Sequence, residues 1–230
     1  MPNRRPTRRE SQTVRNPDMA PRTVEMMLAS AEPRDLVRSE IRHRFRNIVS
    51  VTQSLVYQTL RDGVPIATAR DILNERLAAM GTAIDLLLQN DWKPAPLRAT
   101  VREALAHHSA CHARIRCDSP DIRIDSNAVL MLTLALHELG TNAIKHGALS
   151  VPDGGVDLVW GTLDTPGGAE LWMQWVEHDG PRVTPPERRG FGVHLLTDGT
   201  ARALGGKVVL DYKPEGVTWR LQAPIDQTAR

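Results

Sequence analysis

The stretch HELGTNAIKHGALS, from His137 to Ser150, decides how the chain folds. It closes a run from about Asn127 to His146 in which Leu132, Leu136, Leu139 and Ala143 share one face of a helix. Glu138, Asn142 and Lys145 fall roughly 120° away, at about 100° per residue. One face is core and the other is polar. An acid, an amide and an amine on successive turns answer three needs of a phosphate-handling site: a carboxylate to orient groups or accept a proton, an oxygen ligand for Mg²⁺, and a cation for phosphate. A plain solvated helix face carries the same residue types, so the triplet alone does not decide between the two. Gly147 is a favoured residue just past a helix end.

Downstream, strand patterns run from Val156 to Leu163, Glu170 to Val176, Lys207 to Tyr212 and Val217 to Ala223. Thr165, Pro166, Gly167 and Gly168 join the first two, and a helix from about Phe191 to Leu204 lies between the pairs. Upstream of the long helix the pattern predicts a helix from Leu97 to His107 and a short strand from Arg114 to Cys117. Sequence-adjacent strands with helices interspersed suggest an antiparallel or mixed sheet covered on one face by helices. Two further features could carry chemistry. Glu177, Asp179, Gly180 and Pro181 follow a strand, and Gly190, Phe191 and Gly192 open a helix. Glycines there let backbone N–H groups approach phosphate. Leu195 stands where a G-x-G-x-x-G motif needs its last glycine, so a dinucleotide-binding reading is unsupported.

Further upstream, Ile41, Ile48 and Leu55 recur every seven residues, with Phe45 and Thr52 between them, as in a helix packed along a seam. Asp62, Gly63 and Pro65 interrupt it. A second helix then carries Ile66, followed by Leu73, Leu77, Met80, Ile84 and Leu87. Two antiparallel amphipathic helices leave part of an apolar stripe uncovered, and pairing of two hairpins into a four-helix bundle is the simplest solution. Glu40, His43 and Asn47 lie on a stripe displaced from the seam, so His43 is predicted to face solvent, where a neutral imidazole is a competent nucleophile near pH 7. Trp92 to Pro96, with Pro94 and Pro96, reads as a linker and places a domain boundary near Lys93.

Composition bounds the rest. The chain has 230 residues, of which 41% are hydrophobic and 24% charged, near globular averages, with a formal net charge of +2. Residues 1–33 are proline-rich and hold Arg4, Arg5, Arg8, Arg9, Arg15 and Arg22, which predicts a disordered basic tail; no nucleic-acid role is assigned to it. Cys111 and Cys117 are too few for a disulfide framework, and His108 and His112 lack a second ligand pair for zinc. No apolar run reaches the roughly 18 residues of a membrane span and no secretory signal is present, so a cytoplasmic location is expected.

Taken together, the segments resemble the HWE histidine kinases of bacterial two-component systems. HRFRN from His43 to Asn47 is similar to that family's phospho-acceptor box, and HELGTNAIKHGALS is very like its asparagine box. WVE at Trp175 to Glu177, GPRVTPP at Gly180 to Pro186 and RGFG at Arg189 to Gly192 follow in order. LGGKVVLDYKPEG at Leu204 to Gly216 closes the resemblance, which runs from about Glu40 to Pro224. It implies a dimerisation and histidine-phosphotransfer hairpin, residues 34–92, and an α/β sandwich of the GHKL, or Bergerat, ATPase type, residues 93–226.

By that resemblance His43 is the phospho-acceptor and Glu138 positions or polarises the reacting groups. Asn142 is the Mg²⁺ ligand, and His137, Lys145 and His146 lie near the nucleotide. Glu177, Asp179, Gly180, Arg189, Gly190, Phe191 and Gly192 complete the ATP site, and Asn47 is a candidate contact for a phosphatase reaction or the partner. The implied partners are a response regulator receiver domain, a second copy of the chain through the hairpin, and a sensor protein in trans. Three residues depart from the family pattern: Arg46 replaces lysine, Gly140 replaces alanine, and Asp179 replaces glycine. An adaptor that keeps His43 but has lost ATP binding, and an anti-sigma-type serine kinase that has no use for the His43 box, are the alternatives.

Overall fold

The computed structural model describes residues 33–60, 64–106, 111, 113–186 and 191–225. The expected disordered tail and the His108 and His112 pair lie outside the described residues. The chain divides into two compact units, one ending at Val49 and one beginning at Ser50.

Helix α1 (Pro33–Thr59) carries the described part of the first unit in its N-terminal half. Ile41, Phe45 and Val49 are exposed there by 46%, 64% and 50%, although the heptad pattern marks Ile41 and Phe45 as seam positions. In the second unit the end of α1 is covered, with Leu55 only 1% exposed.

Helix α2 (Ile66–Gln89) starts immediately after Pro65, whose fixed φ suits a helix start. It runs antiparallel to the end of α1: the Thr52 hydroxyl lies 3.6 Å from Met80 Sδ, and Arg76 Nη1 donates to Thr59 Oγ1 at 3.0 Å. The predicted stripe is half-buried at Leu73, Leu77 and Ile84 and buried at Met80 and Leu87, but Ile66 at its start is exposed. The helix stops because Asn90 Nδ2 takes the Leu86 carbonyl at 2.8 Å and Asp91 and Trp92 adopt positive φ of 51° and 59°. Pro94 and Pro96 are not what ends it. The predicted linker is core structure at Ala95, which is fully buried and pairs with Ile124 where β1 (Ala95–Pro96) runs antiparallel to β3 (Arg123–Ile124). Trp92 also packs against the core, so no gap in packing marks the position near Lys93.

Helix α3 (Leu97–Leu105) leads to β2 (Ile115–Arg116), a shorter strand than expected. Helix α4 (Ser126–Lys145) is the predicted long helix, and Asp125 caps it by accepting from the Ala128 N–H at 2.8 Å. Its interior reads as nearly all apolar because it packs on α2, on α3 and in the core. Strands β4 (Gly155–Thr165), β5 (Gly168–His178), β6 (Lys207–Lys213) and β7 (Gly216–Pro224) join β2 in one sheet, ordered β2-β4-β5-β7-β6. Only the β2–β4 pairing is parallel, so the sheet is mixed, as the sequence pattern allows.

Along β5, Leu171, Met173, Trp175 and Glu177 are buried, while Trp172, Gln174, Val176 and His178 are more exposed. That period-2 alternation fits a sheet with one face against the core and one toward solvent. The β4–β5 hairpin turns at Pro166–Gly167, with Thr165 opposite Gly168. The predicted helix from Phe191 to Leu204 is three pieces: α5 (Phe191–His194), a π-helical segment (Leu195–Gly199) and α6 (Thr200–Leu204). The looser turn frees carbonyls that side chains take up. Trp219 Nε1 donates to Leu196 O, and Thr200 Oγ1 to Leu195 O, each at 2.7 Å.

Candidate nucleotide site

The site is built where α4 ends and the strand β5 ends beside it. A cavity of about 550 Å³ opens there, lined by Glu138, Asn142, His146 and Gly147 from the α4 end, Glu177 from β5 and Gly192 from α5. Six expected or adjacent positions thus converge on one space. The sequence reading missed the other side of it: Arg182 and Thr184 on the loop after β5, and the apolar and aromatic walls Leu210, Tyr212 and Val217 on β6 and β7. A large, mostly apolar hollow with a few polar groups at one end is the usual form of a small-molecule site. The signal for these walls was weak, because alternation in β6 and β7 identifies strands without saying which face meets a ligand.

Glu177 organises the strand side. It is 5% exposed, and its carboxylate accepts from the Ala148 N–H at 2.8 Å and from Trp175 Nε1 at 3.3 Å. Burial pushes its carboxyl above the ordinary glutamate range, and the Ala148 and Trp175 donors pull against that shift. The tryptophan and glutamate of the WVE motif therefore act together, tying the strand to the turn after α4. Gly147 has an ordinary φ of −104°, so its φ does not call for glycine. Space does: a Cβ would lie 2.2 Å from Glu177 Oε2 and 2.8 Å from Ala143 Cα.

Glu138 organises the helix side. The amphipathic reading placed it on a polar face, and it is 9% exposed, so that face is not simply solvated. Arg76 covers it, with Nη2 3.1 Å from Oε2 and 3.3 Å from Oε1, and Nε 3.3 Å from Oε2. Gly192 closes the opposite side, where a Cβ would lie 2.2 Å from Glu138 Oε1. Gly192 is therefore needed for close approach to the carboxylate, in addition to any approach to phosphate.

The structure does not bring every expected residue to this cavity. Lys145 lines a smaller hollow of about 170 Å³ with His137, and its Nζ pairs with Glu75 Oε2 at 3.1 Å. Asp179 has a left-handed φ of 56°, its side chain is 73% exposed, and its Oδ2 lies 2.8 Å from His178 Nδ1. Gly180 backs onto Ala148 and does not line the cavity either. Phe191 opens α5, while Arg189 and Gly190 lie outside the described residues. His43 is part of α1, one turn before the half-buried Asn47; the prediction that its side chain faces solvent falls outside what is described.

The donor set fits Mg²⁺-ATP. Among the described residues no group of three His, Cys, Asp or Glu side chains could hold a metal ion, whereas Asn142 offers one oxygen inside the cavity. Magnesium bound with nucleotide needs few protein ligands, since phosphates and waters fill most of its positions. No described helix is long and apolar enough to cross a membrane.

A helical hairpin joined to a mixed sheet with helices packed on it is the fold of histidine kinases. The chain is similar to a solved Erythrobacter litoralis EL346 blue-light activated histidine kinase, with a TM-score of 0.59, 18% identity and coverage of 86% of this chain and 61% of that one. The separate histidine kinase domain of that protein matches with a TM-score of 0.53 and 16% identity over 79% of this chain and 95% of that one.

The chain is similar to the HWE histidine kinases. Residues 40–121 match the family model described as HWE histidine kinase. The Blue-light-activated histidine kinase of Brucella anthropi is 38% identical over 191 residues, 83% of this chain. The protein of the same name from Brucella ovis is 36% identical over the same share. The chain spans 39% of the length of these Brucella relatives.

Proposed function

We propose that the protein is an ATP-dependent protein-histidine kinase that phosphorylates His43 and passes the phosphoryl group to an aspartate of a response regulator. The observation that carries this reading is the convergence of Glu138, Asn142, Glu177 and Gly192 on one cavity of nucleotide size. Asn142 would hold Mg²⁺, which when bound would supply charge neutralisation to the triphosphate. Glu138, at the same end, orients the reacting groups, and Arg182 and His146 offer positive charge or hydrogen-bond donors toward phosphate. Leu210, Tyr212 and Val217 form the apolar walls suited to a base. An imidazole nitrogen of His43 attacks the γ-phosphorus in line, ADP leaves, and positioning provides most of the rate.

The exposed apolar residues of the hairpin favour a homodimer: Ile41 and Phe45 on α1 and Ile66 and Leu88 on α2. Two hairpins would then make the four-helix bundle. Residues 34–92 would serve as the phosphotransfer and dimerisation part and residues 93–226 as the ATP-binding part. A sensor acting in trans is the proposed source of input, and Asn47 a contact for the receiver domain or the hydrolytic water.

Titration with a fluorescent ATP analogue tests the site. Saturable Mg²⁺-dependent binding is expected, weakened by about tenfold or more in Asn142→Ala, as for loss of a metal ligand beside phosphate. Absence of binding by the folded wild type would contradict the kinase and favour a phosphotransfer adaptor.

A further inference from the structure

The second hairpin helix meets a wall residue of the nucleotide cavity with a charged side chain that no motif contains. Arg76 is 6% exposed and grips both oxygens of Glu138. Its Nη1 is anchored on Thr59 Oγ1 at 3.0 Å, and the Thr59 hydroxyl donates in turn to the Leu55 carbonyl at 2.6 Å. A continuous buried polar chain therefore runs from the last turns of α1, through α2, to a carboxylate in the wall of the nucleotide cavity. Glu75, the preceding residue, pairs with Lys145 and fixes the same two helices a second time. Glu138, Asn142 and His146 line both the large cavity and the small one that contains Arg76.

We propose that Arg76 is a positioning residue for the phosphotransfer reaction, holding the Glu138 carboxylate in one orientation, and that it ties the geometry of the hairpin to the competence of the ATP site. This rests on the kinase reading given above and adds to it a residue outside the ATP-binding part. A forked guanidinium fixes the plane of the carboxylate as well as its charge, which a point charge does not. Gly192 blocks the far side, so Glu138 has one orientation while Arg76 is in place. If α1 and α2 slide or rotate against each other, Thr59 draws Arg76 with it, and Glu138 loses its aim. The hairpin thus reports its state to the nucleotide without any change in the residues that bind base or metal.

Initial rates of autophosphorylation at varied ATP test this, with melting temperature as the folding control. Arg76→Ala is expected to lower kcat by about tenfold or more while KM for ATP changes by less than about threefold, because alignment rather than ground-state binding is lost. Arg76→Lys should recover part of that loss, and Thr59→Val, which removes only the anchor, should cost kcat about two- to fivefold. Arg76→Ala in a Glu138→Gln background should cost little further, since the two act as a unit. Wild-type rates in folded Arg76→Ala and Arg76→Lys, or losses that multiply in the double variant, would overturn the inference while leaving the kinase intact. If Arg76→Ala does not fold, wild-type rates in both Arg76→Lys and Thr59→Val overturn it. A wild type that never labels removes the kinase reading and this inference with it.

Discussion

Helices α1 and α4 carry the two halves of the proposed chemistry, and both are periodic in apolar residues, yet they differ in how their apolar faces are covered. In α4, Leu132, Leu134 and Leu136 are at most 1% exposed, whereas Ile41 and Phe45 of α1 are 46% and 64% exposed. Periodicity states that a face is apolar. It does not state whether the same chain covers it. A helix whose stripe is buried within its own domain pays the entropy of ordering from local packing, while one whose stripe is open depends on a partner. The proposed reactive groups therefore sit on supports of different kinds: Glu138 and Asn142 on a helix held on several sides, His43 on one whose seam residues Ile41 and Phe45 lie open.

The sharpest way to break this contrast is to remove Glu138. Glu138→Ala leaves Arg76 buried without its carboxylate, which costs about 3–5 kcal/mol for a pair of this burial, read as a lowered urea midpoint. An unchanged midpoint would mean that α2 does not hold α4 as described. Leu136→Ala should cost about 2–5 kcal/mol through the cavity it leaves. Phe45→Ala, by contrast, should change the stability of the isolated chain by no more than about 0.5 kcal/mol while shifting light-scattering mass from dimer toward monomer. Equal effects of the two truncations on stability would remove the distinction between the helices.

The smallest expected effect is at Glu177. Its carboxyl is raised by burial, so the folded state holds the proton to higher pH than the unfolded chain does, and stability falls as pH rises from the ordinary glutamate range through the raised value. Glu177→Gln keeps an acceptor for Ala148 and removes that titration. The melting temperature of the variant, relative to wild type, should therefore rise with pH across that interval; a constant difference would contradict the buried carboxyl.

Much of the fold was legible because its signals are local. Alternation marked four of the sheet strands, Pro166 and Gly167 their turn, and the leucines of α4 its core face. What escaped depends on contacts between distant segments. Trp92 to Pro96 looked like a linker because two prolines stop a helix, but Ala95 pairs with Ile124 some thirty positions on. The polar face of α4 left open whether Glu138 meets solvent or a partner, and α2 covers it. Arg76 did leave a trace: it lies three residues after Leu73 and four before Met80, a charge on the apolar stripe of α2, and such a residue needs a buried partner. Asp179 was grouped with Glu177 by proximity in sequence, but a left-handed backbone turns it out toward His178.

The most direct test of the central claim is labelling with γ-labelled ATP and Mg²⁺, followed by acid treatment. The wild type should gain a label that acid removes, as a phosphohistidine requires. His43→Ala and Asn142→Ala should both gain none, with an unchanged melting temperature expected for His43→Ala as the folding control. An acid-stable label that survives in His43→Ala would contradict the account.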